Sequence, residues 1–381
     1  MYFSDENQIS TVESAALIAF GHLCGALSYC SEATLRIFAG KALRHTLIAA
    51  LRQEGHAFTD MRFHAWFAGL TTLSDDNLRG ARAPRALCNA ILTELANWGD
   101  TAMARAAGQL KTALLAPLEG QEEHGNAEAN RIIEAARVLT HSLPAPRNSD
   151  PLADLETVHE AITASIEFAP SELITTRLAT DHRLFEVELP SPRPPIWAID
   201  MLFARRLFTQ RRLPIMLPLP GLTRRDAGDR RQAYAGNLQT AVHQMTELLA
   251  DAATLAPFAH APIPGRRASS RAPLLMELLA GFGPLRSRQI ETMLGASRLG
   301  IAGMVDSWDA VGAIGRTTIS GSHLLEMRAT RSPPVSSIMP EASAFSTSAI
   351  ADYDASLEEI DRLLARNSDA EQGHLKTRQG H

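Results

Sequence analysis

Ser287-Arg288-Gln289-Ile290-Glu291-Thr292-Met293-Leu294-Gly295-Ala296-Ser297-Arg298-Leu299-Gly300-Ile301 decides how this chain is read. Ser287 is placed to cap a helix that reaches Leu294, and Glu291 adds negative charge near its start. Gly295 supplies the positive φ of a tight turn. Ser297 is placed to cap a following helix that holds Leu299, Met304, Val305 and Trp308. Upstream, Leu274, Leu275, Leu278 and Leu279 mark a first helix over Pro273–Leu279, which Gly281-Phe282-Gly283-Pro284 ends. Downstream, Ala313–Ile319 and His323–Met327 read as two strands joined by a hairpin turn at Ser320-Gly321-Ser322. Ile290, Leu294, Ile301 and Val305 are expected to pack together. Helices in this order before a hairpin outline a winged helix-turn-helix.

That outline predicts a double-stranded DNA partner. The third helix would enter the major groove and present its first exposed residues to base edges. Arg298 is the first candidate, because arginine can bridge guanine O6 and N7. Ser297 and Gly300 would lie near the backbone or permit close approach. Arg286 and Arg288, at the start of the second helix, suit phosphate contacts. Arg316, His323 and Arg328 lie on the hairpin, while Arg266, Arg267 and Arg271 stand in front of the unit. Against this, Gly300 and Gly303 weaken the third helix, and Asp306 and Asp309 would repel phosphate. An adaptor that docks a protein through the same unit is the alternative.

The 381 residues carry a formal net charge of −5, so any DNA contact must come from local basic patches. The length allows a large core. The expected fold class is mainly α: a multi-helical N-terminal and central domain with a C-terminal winged helix-turn-helix. The boundaries read as an N-terminal helical region over 1–142, a linker over 143–151 and a central helical region over 152–260. The winged unit follows over 266–328, and a flexible tail with one short amphipathic helix over 329–381. In the linker, Asp150 and Pro151 read as an N-cap and a first helical residue. Leu184–Leu189 reads as a single short strand. Cys24, Cys30 and Cys88 fit no zinc or redox spacing. The run Ala15–Leu27 is too short to span a bilayer, and the acidic N-terminus is unlike a signal peptide. A cytoplasmic protein without a membrane role is expected.

Outside the C-terminal unit the chemical signals are weaker. Arg205, Arg206, Arg211, Arg212, Arg224, Arg225, Arg230 and Arg231 would form a second phosphate grip or an ordinary solvated face. His56, Asp60 and His64 recur every four residues, but three ligands on one straight helix rarely converge on one ion. Asp75-Asp76 reads as a cap rather than a catalytic pair. There is no nucleophile elbow and no glycine-rich phosphate loop. Neither an enzyme nor a cofactor is expected.

A family resemblance adds to this. Arg266-Arg267-Ala268-Ser269-Ser270-Arg271-Ala272-Pro273 is similar to the Arg-Arg-x-Ser-Ser-Arg-x-Pro opening of a plasmid-borne family frequent in rhizobia. Leu294-Gly295-Ala296-Ser297 and Asp150-Pro151-Leu152-Ala153 resemble further segments of it, as does Leu213-Pro214 with the arginines through Arg231. The likeness is clearest over residues 150–327. It implies an uncharacterised N-terminal helical domain and a C-terminal helix-turn-helix that binds DNA, with no known activity; transcriptional regulation or plasmid maintenance is the function expected of such a DNA-binding protein. The chain departs from the pattern at Gly300, Gly303 and after Arg316, so no base-reading residue is carried over. By analogy the helical body would form a homodimer that sets two such units on adjacent half-sites. Trp197–Leu222 with the helix after it also resembles the core of Fic-type AMP-transferases. Pro195-Ile196-Trp197-Ala198-Ile199-Asp200 lacks their catalytic motif, so only the fold would be shared.

Overall fold

The computed structural model describes residues 11–74, 81–99, 101–118, 122–145, 150–169, 174–180, 183–189, 193–207, 230–262 and 271–328. The protein is mainly helical. Its body contains α1 (Thr11–Tyr29), α2 (Glu32–Gln53), α3 (Asp60–Phe67), α4 (Pro84–Ala96), α5 (Ala102–Thr112) and α6 (Glu122–Ser142). It continues with α7 (Pro151–Ala164), β1 (Ile174–Thr180), β2 (Arg183–Leu189), α8 (Ile196–Leu207) and α9 (Arg230–Ala259).

Capping residues set several of these starts. Ser31, Thr59 and Thr101 accept hydrogen bonds from Thr34, Arg62 and Ala104 backbone N–H groups at 3.1, 3.2 and 3.1 Å. Asp150 accepts from Leu152 and Ala153 at 3.1 and 3.2 Å, ahead of Pro151 at the first helical position. Such caps satisfy N–H groups that have no partner inside the helix.

Helix α2 is the central post. It buries Ile37, Phe38, Leu43, Leu47 and Leu51, and even Lys41, against neighbours that include α4, α5, α8 and α9. A helix enclosed on most sides needs apolar residues all round. The buried Lys41 is matched by Asp251 at 2.6 Å. Helices α1 and α7 both pack on α9, and α6 packs on α8, so the N-terminal and central helical regions share one core. A polar knot closes that core. Arg82 Nη1 donates to both carboxylate oxygens of the buried Glu54 at 2.9 Å, and Trp197 Nε1 donates to Glu54 Oε1 at 2.7 Å.

Two expectations change. The stretch expected to form one strand is half of a hairpin, because β2 pairs antiparallel with β1 from Ile174↔Leu189 to Thr180↔Arg183. Helix α1 has 19 residues and is long and apolar enough to cross a membrane by length and composition, unlike the shorter run read from the sequence. In this fold its Ala16, Leu23, Cys24 and Leu27 are buried, on the helix that packs along α9.

The chain continues into α10 (Ala272–Phe282), β3 (Leu285–Arg286), α11 (Ser287–Leu294), α12 (Arg298–Asp309), β4 (Ile314–Ile319) and β5 (Ser322–Met327). The strands form an antiparallel sheet in the order β3-β5-β4. Ser320 and Gly321, at φ 49° and 73°, make the two-residue turn between β4 and β5. Positive φ at both positions matches the right-handed twist of the flanking strands.

These elements belong to the same compact unit as the body, which spans Met1–Thr330. Helix α10 lies on α2 and α9, and α11 lies on α5. Gly40 and Gly281 permit the first contact: a Cβ at Gly40 would stand 2.9 Å from the Gly281 Cα. Arg36 Nε and Nη2 each donate to Glu277 at 2.7 Å, and His260 Nε2 lies 2.5 Å from Glu277 Oε1. The buried Glu277 carboxylate is thereby matched by charge and hydrogen bonds on α2 and at the end of α9. The expected tail over 329–381 lies outside the described residues.

Candidate nucleic-acid interface

The site begins with the way α11 is held. Its cap is Arg286, not Ser287, which is the first helical residue. The Gln289 side chain takes over the capping, with Oε1 accepting from the Arg286 backbone N–H at 2.9 Å. Gln289 is buried, and its Nε2 donates to the carbonyls of Phe67 at 3.2 Å and Ala113 at 2.8 Å. One amide therefore caps α11 and also ties it to the body. Nothing in the sequence marked Gln289 for this role, because a glutamine beside a buried isoleucine reads as a surface residue.

Helix α11 ends at Gly295 in the left-handed region, φ 56° and ψ 38°. Ser297 then caps α12, accepting from the Gly300 N–H at 3.2 Å. Ile301, Met304, Val305 and Trp308 are buried, and Trp308 Nε1 donates to the Ala272 carbonyl at 3.0 Å. The other side of α12 faces outward. Ser297, Arg298 and Gly300 are exposed. Leu299 is also open to solvent, 84% exposed. A helix with four-residue apolar steps at 301, 304/305 and 308 leaves position 299 on the opposite side.

The sequence-derived cations fall into different settings. Arg288 and Arg298 are exposed and Arg286 is half-buried. Arg271 is exposed but occupied: its Nη1 donates to the carbonyls of Leu294 and Gly295 at 2.8 and 3.3 Å, covering the C-terminus of α11. Arg316 pairs with Asp309 at 2.9 Å, which cancels much of its charge toward a polyanion. His323 Nδ1 lies 2.9 Å from the Thr318 hydroxyl. Arg266 and Arg267 lie outside the described residues. Of the candidate arginines, Arg286 and Arg288 at the start of α11 and Arg298 at the start of α12 are left.

The second basic region does not form a patch in its described part. Arg231 bonds Glu13 and Asp150 at 3.0 Å each and Glu156 at 3.4 Å. Its hydrogen bond to Asp150 raises the Arg231 pKa further. Partial burial pushes Asp150 up, but Arg231 and the two backbone donors outweigh that and leave it below the usual carboxylate range. Arg205 sits over the Trp98 ring at 5.3 Å. Arg211, Arg212, Arg224 and Arg225 lie outside the described residues, as do the side chains of Arg206 and Arg230.

The histidines are structural. His56 Nε2 bonds the Arg82 carbonyl at 2.9 Å. Burial and the nearby Arg44 push the His64 pKa down to about 3, against a hydrogen bond to the Pro284 carbonyl. Asp60 pairs with Arg52 at 3.0 Å. Among the described residues no group of His, Cys, Asp and Glu is arranged to hold a metal. Cys24, Cys30 and Cys88 are free thiols, and burial raises the pKa of Cys30 and Cys88. Trp197 and Asp200 are buried on α8 and bonded to Glu54 and Gln53. Asp75-Asp76 lies outside the described residues. No family model and no curated protein matches this chain.

Proposed function

We propose that the protein binds duplex DNA through residues 271–328, acting as a winged helix-turn-helix with α12 in the major groove. One observation carries the reading: α12 buries one side against its own unit and leaves its N-terminal turn, with Arg298 foremost, open to solvent. In this reading Arg298 contacts a guanine edge. Arg286 and Arg288, with the N-terminal turn of α11, hold phosphate oxygens. Arg271 positions the turn between the helices rather than touching DNA. The β4–β5 hairpin lies beside the duplex, with Arg316 a minor contributor because Asp309 already pairs with it.

The exposed Leu299, with Asp306 also exposed further along α12, favours a second reading in which the same face docks an apolar protein surface. Salt separates the two. Two arginine–phosphate contacts give a log–log slope of about −1.8, so DNA affinity should fall roughly twelve-fold between ~50 and ~200 mM salt. Fluorescence anisotropy with a labelled duplex reads this directly. Binding that is absent at low salt, or unchanged across the range, would remove the DNA reading.

A further inference from the structure

Leu299 stands at the crest of the first turn of α12. The buried residues Ile301, Met304, Val305 and Trp308 mark one side of the helix. Each residue turns an α-helix by about 100°, so position 299 lies nearly opposite that side, with Arg298 on its flank. The exposures agree. Leu299 is 84% exposed, and Arg298, Gly300 and Ala302 around it are exposed too. Gly300 has no side chain and Ala302 is too small to screen the leucine. A surface laid against this turn therefore covers Leu299. Charge decides which end of α12 a polyanion approaches. Arg298 and the positive end of the helix dipole lie at its start. Asp306 and Asp309 lie toward its other end, and both are exposed. Phosphate is repelled there, so a duplex closes on the first turn.

Resting on the DNA reading of α12, we infer that Leu299 recognises the C5 methyl of a thymine in the base pair next to the guanine contacted by Arg298. Neighbouring residues suit neighbouring base pairs, with about 3.8 Å between Cα atoms and about 3.4 Å between bases. Thymine is the base that offers the major groove an apolar group, its C5 methyl. Leucine laid on a G·C pair would instead cover the cytosine amino group and return no hydrogen bond. The side chain thus favours thymine by contact and disfavours cytosine by desolvation. Arg298 and Leu299 together specify a guanine beside a thymine.

The test selects duplexes from a random pool with the full-length protein and then replaces each thymine of the selected site by deoxyuridine, which removes only the methyl. At one pair beside the guanine whose preference Arg298→Ala loses, the parent should bind the uracil duplex about fourfold more weakly, the worth of one buried methyl group. Leu299→Ala should bind the thymine and uracil duplexes equally there and still prefer the guanine. Leu299→Met, which keeps the length and apolar character, should retain the thymine preference. Both changes lie on the exposed side of α12 and leave its packing intact. A parent that selects no sequence, or a guanine preference indifferent to Arg298→Ala, overturns the base-reading role of α12 and this inference together. Three results overturn the inference alone: no thymine beside that guanine, a uracil duplex bound as tightly as its parent, or a full uracil penalty that persists in Leu299→Ala.

Discussion

Replacing Gln289 with alanine tests how the C-terminal helices are fixed to the body. The substitution removes the acceptor for the Arg286 N–H and the donor to the Ala113 carbonyl, which are 2.9 and 2.8 Å from the side chain. It also removes the donor to the Phe67 carbonyl, but that oxygen keeps the Leu115 N–H at 3.0 Å. Two backbone groups thus lose a partner and one does not. An unpaired buried group costs about 1–3 kcal/mol, so the expected loss is about 2–4 kcal/mol with some relief from water entry. Denaturant unfolding of the parent and variant gives the difference, and hydrogen exchange at the Ile290–Leu294 amides shows whether it concentrates in α11. Arg286→Ala is the control, because it keeps the backbone N–H that Gln289 accepts. A loss under about 0.5 kcal/mol for Gln289→Ala, with unchanged exchange in α11, would refute the docking role.

Two further outcomes follow from buried and turn residues. His64 has a pKa of about 3 in the fold against an ordinary 6.5, so it stays neutral while the unfolded chain takes up a proton. Its share of stability is complete above pH ~6.5 and is lost as pH falls, at up to about 1.4 kcal/mol per pH unit until the folded pKa is reached. His64→Phe should flatten the acid limb of the stability–pH curve relative to the parent; parallel limbs would contradict this. Ser320 occupies φ 49° beside Gly321, so Ser320→Asn should suit the turn better and add about 0.5 kcal/mol. Chemical denaturation checks the sign, and a destabilised variant would reject the assignment of the turn.

The C-terminal unit was readable where local chemistry is strict. Gly295 lies in the left-handed region, Ser297 caps α12, and the strands flank the two-residue turn at 320–321. Each depends on residues a few positions apart. What the sequence concealed depends on distant partners. β3 exists because Leu285 and Arg286 pair with Leu325 and Leu324, some forty positions on, and two residues show no strand period. Gln289 is buried only because Phe67 and Ala113 come to meet it. Arg271 and Arg316 looked like phosphate ligands because charge is visible in a sequence, whereas the Leu294 and Gly295 carbonyls and Asp309 that occupy them are found only in space. Leu299 is apolar yet lies outside, because the helical period set by Ile301, Met304, Val305 and Trp308 turns position 299 away from them.

The central claim is that the open end of α12 reads bases. Selecting duplexes from a random pool with the parent protein, then measuring the selected and scrambled sites with Arg298→Ala and Arg288→Ala, addresses it most directly. Arg298→Ala should lose about 1–3 kcal/mol of discrimination at a guanine, while Arg288→Ala should weaken both duplexes equally. A selected site that Arg298→Ala still distinguishes as well as the parent would contradict the claim.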